Sequence, residues 1–108
     1  MANVYKVLGQ VKPAATTATT LYTVPASTSA VCSTLSICNI GVSTTYRVAI
    51  RPAGATLADI HYIVYDAAIE QYNTTLLTLG ITLATTDVVT VYAGTATVVF
   101  NLFGSEIT

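Results

Sequence analysis

The chain has 108 residues, 53% of them hydrophobic and 8% charged, with four cations, five anions and a net charge of −1. That length accommodates one domain with a single core. Lys6, Lys12, Arg47 and Arg51 never form a basic run or alternate with stacking aromatics, which argues against a nucleic-acid partner, and no window has the apolar length that crosses a bilayer.

Apolar residues alternate with Thr, Ser and Ala in short runs, so the elements are strands, where β-branched side chains lose little freedom. The first runs from Asn3 to Val11, with Tyr5, Val7 and Val11 on one side, Lys6 and Gln10 on the other, and Gly9 as a bulge. Pro13 and the low-complexity stretch from Ala14 to Thr20 read as a loop. Residues 1–20 are thus a strand and linker arm, which either completes its own sandwich or adds to a neighbour's sheet edge. Leu21 to Val24 is a short strand ended by Pro25.

Ala30 to Ile40 is the longest candidate, with Val31, Ser33, Leu35 and Ile37 on one face and Cys32, Thr34, Ser36 and Cys38 on the other. Apolar groups on both faces make it a central strand. Asn39, Gly41 and Ser43 give turn chemistry, and Tyr46 to Arg51 follows as its hairpin partner, Tyr46, Val48 and Ile50 inward and both arginines outward. Pro52 to Ala55 is a turn, and the segment through Asp59 is either irregular or one helical turn. His61 to Asp66 is a strand with His61, Ile63 and Tyr65 on one face and Tyr62, Val64 and Asp66 on the other. Ala67 to Asn73 connects it to a strand from Thr74 to Leu79, which Gly80 kinks and Ile81 to Leu83 continue. Asp87 to Ala93 and Ala96 to Phe103 are joined by Gly94-Thr95, the link of a type II′ hairpin. About eight strands predict an all-β, single-domain antiparallel β-sandwich over residues 1–108, jelly-roll or immunoglobulin-like.

Residues that carry chemistry are sparse. His61 is the one histidine, in a strand with no second His, thiol or nucleophile motif beside it, and reads as hydrogen-bonded near a sheet surface. Cys32 and Cys38, six apart on one strand and facing the same way, lie roughly 20 Å from each other. A disulfide needs Cα atoms within about 7 Å, so they read as buried thiols rather than a bridge. Asp66 and Glu70 are four apart across a strand end, a spacing that fixes no glycosidase geometry. Gly80 and Gly94 do not form a phosphate-cradling cluster. Asn73-Thr74-Thr75 matches a glycosylation acceptor that a Thr-rich chain produces by chance. The chain is expected to be no enzyme, with no catalytic, cofactor-binding or metal residues and no cofactor. Tyr5, Tyr46 and Tyr62 suit either a core or an interface.

The charged fraction is about a third of the usual value near 25%, leaving much of the exterior to Thr, Ser, Ala and Asn. Such surfaces dissolve poorly when bare, so copies are expected to pack together, as a trimer, or on a larger assembly. The start, Met1-Ala2-Asn3-Val4-Tyr5-Lys6, has no basic segment leading into an apolar stretch, and the expectation is a soluble, unsecreted product with no membrane partner.

Six phrases carry a resemblance: Val4 to Gln10, Leu21 to Ala26, Arg47 to Gly54, His61 to Asp66, Leu79 to Leu83 and Phe100 to Gly104. Through them the chain resembles small virion structural proteins of tailed bacteriophages. The resemblance implies a part of the virion, assembled in the host bacterial cytoplasm, and brings no catalytic residues with it. The expected role is a head decoration or cement protein on the major capsid protein. The alternatives are a tail fibre, baseplate or neck protein, or a carbohydrate-binding receptor module.

Overall fold

Alternating β-branched and small polar residues produce eight strands in the computed structural model, which describes residues 2–108. They are β1 (Asn3–Val11), β2 (Thr19–Thr23), β3 (Ser29–Asn39), β4 (Thr44–Arg51), β5 (Tyr62–Ile69), β6 (Thr74–Leu83), β7 (Val88–Ala93) and β8 (Val98–Ile107). Two short 3-10 turns, Pro52–Gly54 and Asp59–His61, fill the β4–β5 connection. One antiparallel sheet has the order β1-β8-β3-β6 and the other β2-β7-β4-β5. The first half of the chain therefore pairs with the second, β1 with β8, β2 with β7, β3 with β6 and β4 with β5, like one long hairpin rolled into two layers. That is the jelly-roll form of the sandwich.

This topology overturns both expected hairpins. β3 pairs with β6 and β8, while β4 lies in the opposite sheet, so residues 40–43 cross between layers. Residues 94–97 likewise carry the chain from β7 to β8 in the other sheet. Gly94 is not among the glycines with positive φ, as a type II′ turn demands, and a Cβ on it would lie 2.7 Å from Thr44 Oγ1. Tight packing, and not turn geometry, selects this glycine.

Bulges redistribute the faces. Leu8 is an extra residue against β8, so Tyr5 and Val7 point outward while Val11, opposite the buried Phe100, points inward. Ser33 is extra against β8, which places Ala30, Cys32, Leu35, Ile37 and Asn39 inside and Val31, Ser36 and Cys38 outside. Cys32 and Cys38 thus face opposite ways, Cys32 fully buried and Cys38 half-buried, and both thiols are free. In β5 the extra residues are Ile63 and one of the pair Tyr65-Asp66, so Tyr62 and Tyr65 share the outer face and the strand runs on to Ile69. A one-residue insertion reverses every later side chain because the strand period is two.

Phe100, Leu35, Ile37, Leu102, Val48 and Val91 form the centre of the core, with the Tyr46 ring edge-on to Phe100 at 6.2 Å. At the end of this core the inward position of β3 is Asn39, completely buried. Its Oδ1 accepts from the Gly41 N–H and the Thr97 hydroxyl, both at 3.0 Å. Its Nδ2 donates to the carbonyls of Val42, Ile69 and Glu70 at 2.7, 3.3 and 3.2 Å. One amide thereby ties together the β3–β4, β5–β6 and β7–β8 connections. Replacing it strands buried carbonyls at about 1–3 kcal/mol for an unpaired group. Asn39→Ala is expected to lose at least about 3 kcal/mol in urea unfolding, against less than about 0.5 for Asn73→Ala on the exposed turn.

β1 completes the sandwich of its own chain, with Leu8 and Val11 packed on the core. Deleting residues 1–11 is expected to abolish the cooperative thermal transition.

Candidate interaction face

The register of the first sheet sets its outer face row by row. Tyr5, Ser105, Val31 and Thr82 form one row, and Val7, Phe103, Thr34 and Thr78 the next. Gln10, Asn101, Ser36 and Leu76 follow, the first two joined side chain to side chain at 2.7 Å. No charged side chain lies in these rows. Tyr5 is 82% exposed and Leu76 65%, with Val7, Val31 and Phe103 also open to solvent. Between β1, β8 and β3 these side chains border an open groove of about 600 Å³, its walls formed by Tyr5, Val7, Val31 and Phe103 together with Lys6.

The charges that the first sheet carries, Lys6 and Glu106, belong to the opposite parity. Lys6 Nζ is 2.7 Å from Glu106 Oε1, and the Tyr22 hydroxyl of β2 donates to Glu106 Oε2 at 2.6 Å. This bridge ties β1, β8 and the other sheet together, with Lys6 half-exposed at the groove and Glu106 nearly buried. Lys6 and then Tyr22 hold the Glu106 carboxyl below the usual carboxylate range although burial pushes it up. Burial, then the Glu106 carboxylate, pushes the Tyr22 phenol up.

The second sheet is different. On its outer face Arg47 lies between the rings of Tyr65 and Tyr92, its guanidinium carbon 4.2 and 4.3 Å from their centroids. It donates to both carboxylate oxygens of Asp66, at 2.6 and 3.2 Å. The β5 bulge sets Tyr65 and Asp66 together opposite Arg47, and Asp66 accepts a φ of 52° to do so. Arg47 holds the Asp66 carboxyl below its ordinary value.

Among the residues singled out from the sequence, His61 accepts the Ala58 N–H on Nδ1 at 3.0 Å, in keeping with a hydrogen-bonded surface position. Asp66 is engaged by Arg47, and Glu70 lies in the exposed turn beyond β5. Tyr46 is core, Tyr5 is surface and Tyr62 lines the second sheet's outer face. Among the described residues no three His, Cys, Asp or Glu side chains gather around a common metal position. Sequence patterning missed Val31 and Phe103 as neighbours of Tyr5 because only strand pairing sets Val31 in its row and Phe103 in the next. It missed Tyr92 with Arg47 because their strands are 45 residues apart in sequence and adjacent only in the sheet. No protein-family model, curated protein or solved structure matches the chain significantly.

The Glu106 bridge has a signed pH dependence. Because the folded carboxyl ionises at lower pH than the unfolded one, its contribution is complete above the unfolded value of about 4.3 and is lost as pH falls through the folded value. Between about pH 5 and pH 3 the unfolding midpoint of the native chain should fall more steeply than that of Glu106→Gln. Asp66 titrates in the same window but is common to both proteins, so the difference isolates Glu106.

Proposed function

We propose that this chain is a non-catalytic structural module of a bacteriophage virion, a homo-oligomer that decorates and cements the capsid exterior by docking the uncharged rows on the outer face of the β1-β8-β3-β6 sheet. The observation that carries the docking is that face: apolar side chains in open rows, where the one ion at the groove, Lys6, is already paired with Glu106. The four edge strands favour a face over an edge as the joining surface. β1 and β2 each carry an extra residue, β5 carries two, and β6 is kinked at Gly80 with φ +61°, all of which blunt edge-to-edge pairing. The virion assignment rests on the six sequence phrases, and the jelly roll agrees with it as an architecture shared by viral capsid and lectin domains. A module that binds only the assembled shell stabilises it by mass action, without chemistry.

Light scattering at about 50 µM, well above a micromolar dissociation constant, is expected to give the mass of a trimer. Tyr5→Glu and Leu76→Glu, at sites too exposed to disturb the core, should shift it to monomer with an unchanged melting temperature. A native monomer would remove self-association from the reading. Cryo-electron microscopy of particles made with and without the chain should show its density on the shell; density on the tail, baseplate or neck would move the module there.

A further inference from the structure

The second sheet carries a different kind of surface, on the opposite side of the sandwich from the uncharged face. Tyr62 and Tyr65 meet nearly at right angles, at 82° with centroids 4.9 Å apart. With Asp59 they line an open groove of about 370 Å³, a size in the lower part of the usual range for small-ligand sites. Tyr65 is 58% exposed, yet it is not free to wander. Arg47 covers its ring, and Arg47 is in turn clamped by Asp66 and Tyr92. Asp59 opens the 3-10 turn Asp59–His61, which is closed on both sides: the His61 N–H donates to the Ala58 carbonyl and the Ala58 N–H to His61 Nδ1, each at 3.0 Å. Unlike Asp66 and Asp87, the Asp59 carboxylate has no hydrogen bond or ion pair among the described residues.

We propose that the corner formed by Asp59, Tyr62 and Tyr65 is a binding site for a neutral saccharide. Two fixed aromatic rings offer an apolar wall to the C–H groups of a pyranose ring. A carboxylate without a protein partner accepts sugar hydroxyls in short charge-assisted hydrogen bonds, and the two phenols add donors and acceptors at the rim. The charge distribution excludes an anionic ligand. Arg47 is matched by Asp66, which leaves the negative charge of Asp59 at the groove, and a neutral polyol meets no like charge there. The bulge at Tyr65-Asp66, with Asp66 held at φ 52°, spends backbone strain on placing these groups, which is where strained bulges concentrate in binding sites. The proposal is independent of the virion reading, and the site stays open to solvent when the uncharged face is docked.

The test is a titration of the ¹⁵N-labelled full chain, followed by amide shifts, with the methyl glycosides of glucose, galactose, mannose and N-acetylglucosamine. Each is taken to about 50 mM, because an open site of this size is expected to bind with a dissociation constant in the millimolar range. The expected result is saturable shifts centred on residues 59–65 with at least one glycoside. Tyr65→Ala and Asp59→Asn should each weaken it about tenfold or more, and Tyr72→Ala, an exposed tyrosine in the β5–β6 turn, should leave it unchanged. If Tyr65→Ala lowers the melting temperature, Asp59→Asn on its exposed turn decides. The absence of saturable shifts with all four glycosides overturns the proposal. So do shifts at this corner produced by tetramethylammonium chloride and by none of the sugars, since they identify a cation cage.

Discussion

One buried amide holds the two layers of this sandwich in register. Asn39 occupies the position where the inward run Leu35, Ile37 would place a third apolar side chain, and it spends its polar atoms on three chain crossings. A jelly roll demands such a tie. Its consecutive strands β3 and β4, and β7 and β8, lie in different sheets, so the crossing segments have no ladder of their own to satisfy their backbone groups. Pairing between the crossings supplies part of the answer, as in the Ile40 N–H on the Thr97 carbonyl at 2.9 Å, and the Asn39 side chain supplies the rest. At the opposite end the Asp87 carboxylate does comparable service, accepting from the N–H groups of Ala53 and Ala84 at 2.8 and 2.9 Å.

With both ends tied, the edges remain, and the bulges manage them. The extra residues Leu8 and Leu21 bring β1 and β2 together where the sandwich closes. Gly9 is required there because a Cβ would run into the Leu21 carbonyl oxygen. The same insertions determine what each outer face displays. On the first sheet they turn Tyr5, Val7, Val31 and Phe103 outward as a group, and on the second they turn Tyr62, Tyr65 and Asp66 around Arg47. Bulges are thus both the safeguard against open-edge association and the device that composes the surfaces.

The two surfaces divide the scarce charge between them. Glu106 is buried against Tyr22 and pairs with the half-exposed Lys6 at the groove, which leaves the outward rows of the first sheet without ions and suited to being covered. Arg47, Asp66 and Asp59 collect on the other side among tyrosines, where polar contacts with a small ligand are available. A rigid all-β body with one apolar face and one polar aromatic face can attach on one side and present the other, and the proposed oligomer and the proposed saccharide site use different halves of it.

Composition and alternation alone determined the class of fold: β-branched runs, Gly and Pro punctuation and one domain's length specify strands in a sandwich, and all eight begin within two residues of where alternation puts them. The sequence also shows the poverty of catalytic groups. It did not reveal the partners. Strand pairing across a jelly roll joins residues 3 with 107 and 51 with 88, contacts that leave no local mark, so β3–β4 and β7–β8 read as hairpins when they are crossings. Nor did alternation reveal the faces beyond Leu8, Ser33 or Tyr65, because a bulge is an irregularity of pairing and the period-two pattern continues through it on paper. Asn39 shows the limit most sharply. Its sequence context reads as a turn residue, and only the meeting of three connections at the end of the core makes it a buried hub, since hydrogen-bond partners 30 and 58 residues away are assembled by the tertiary fold.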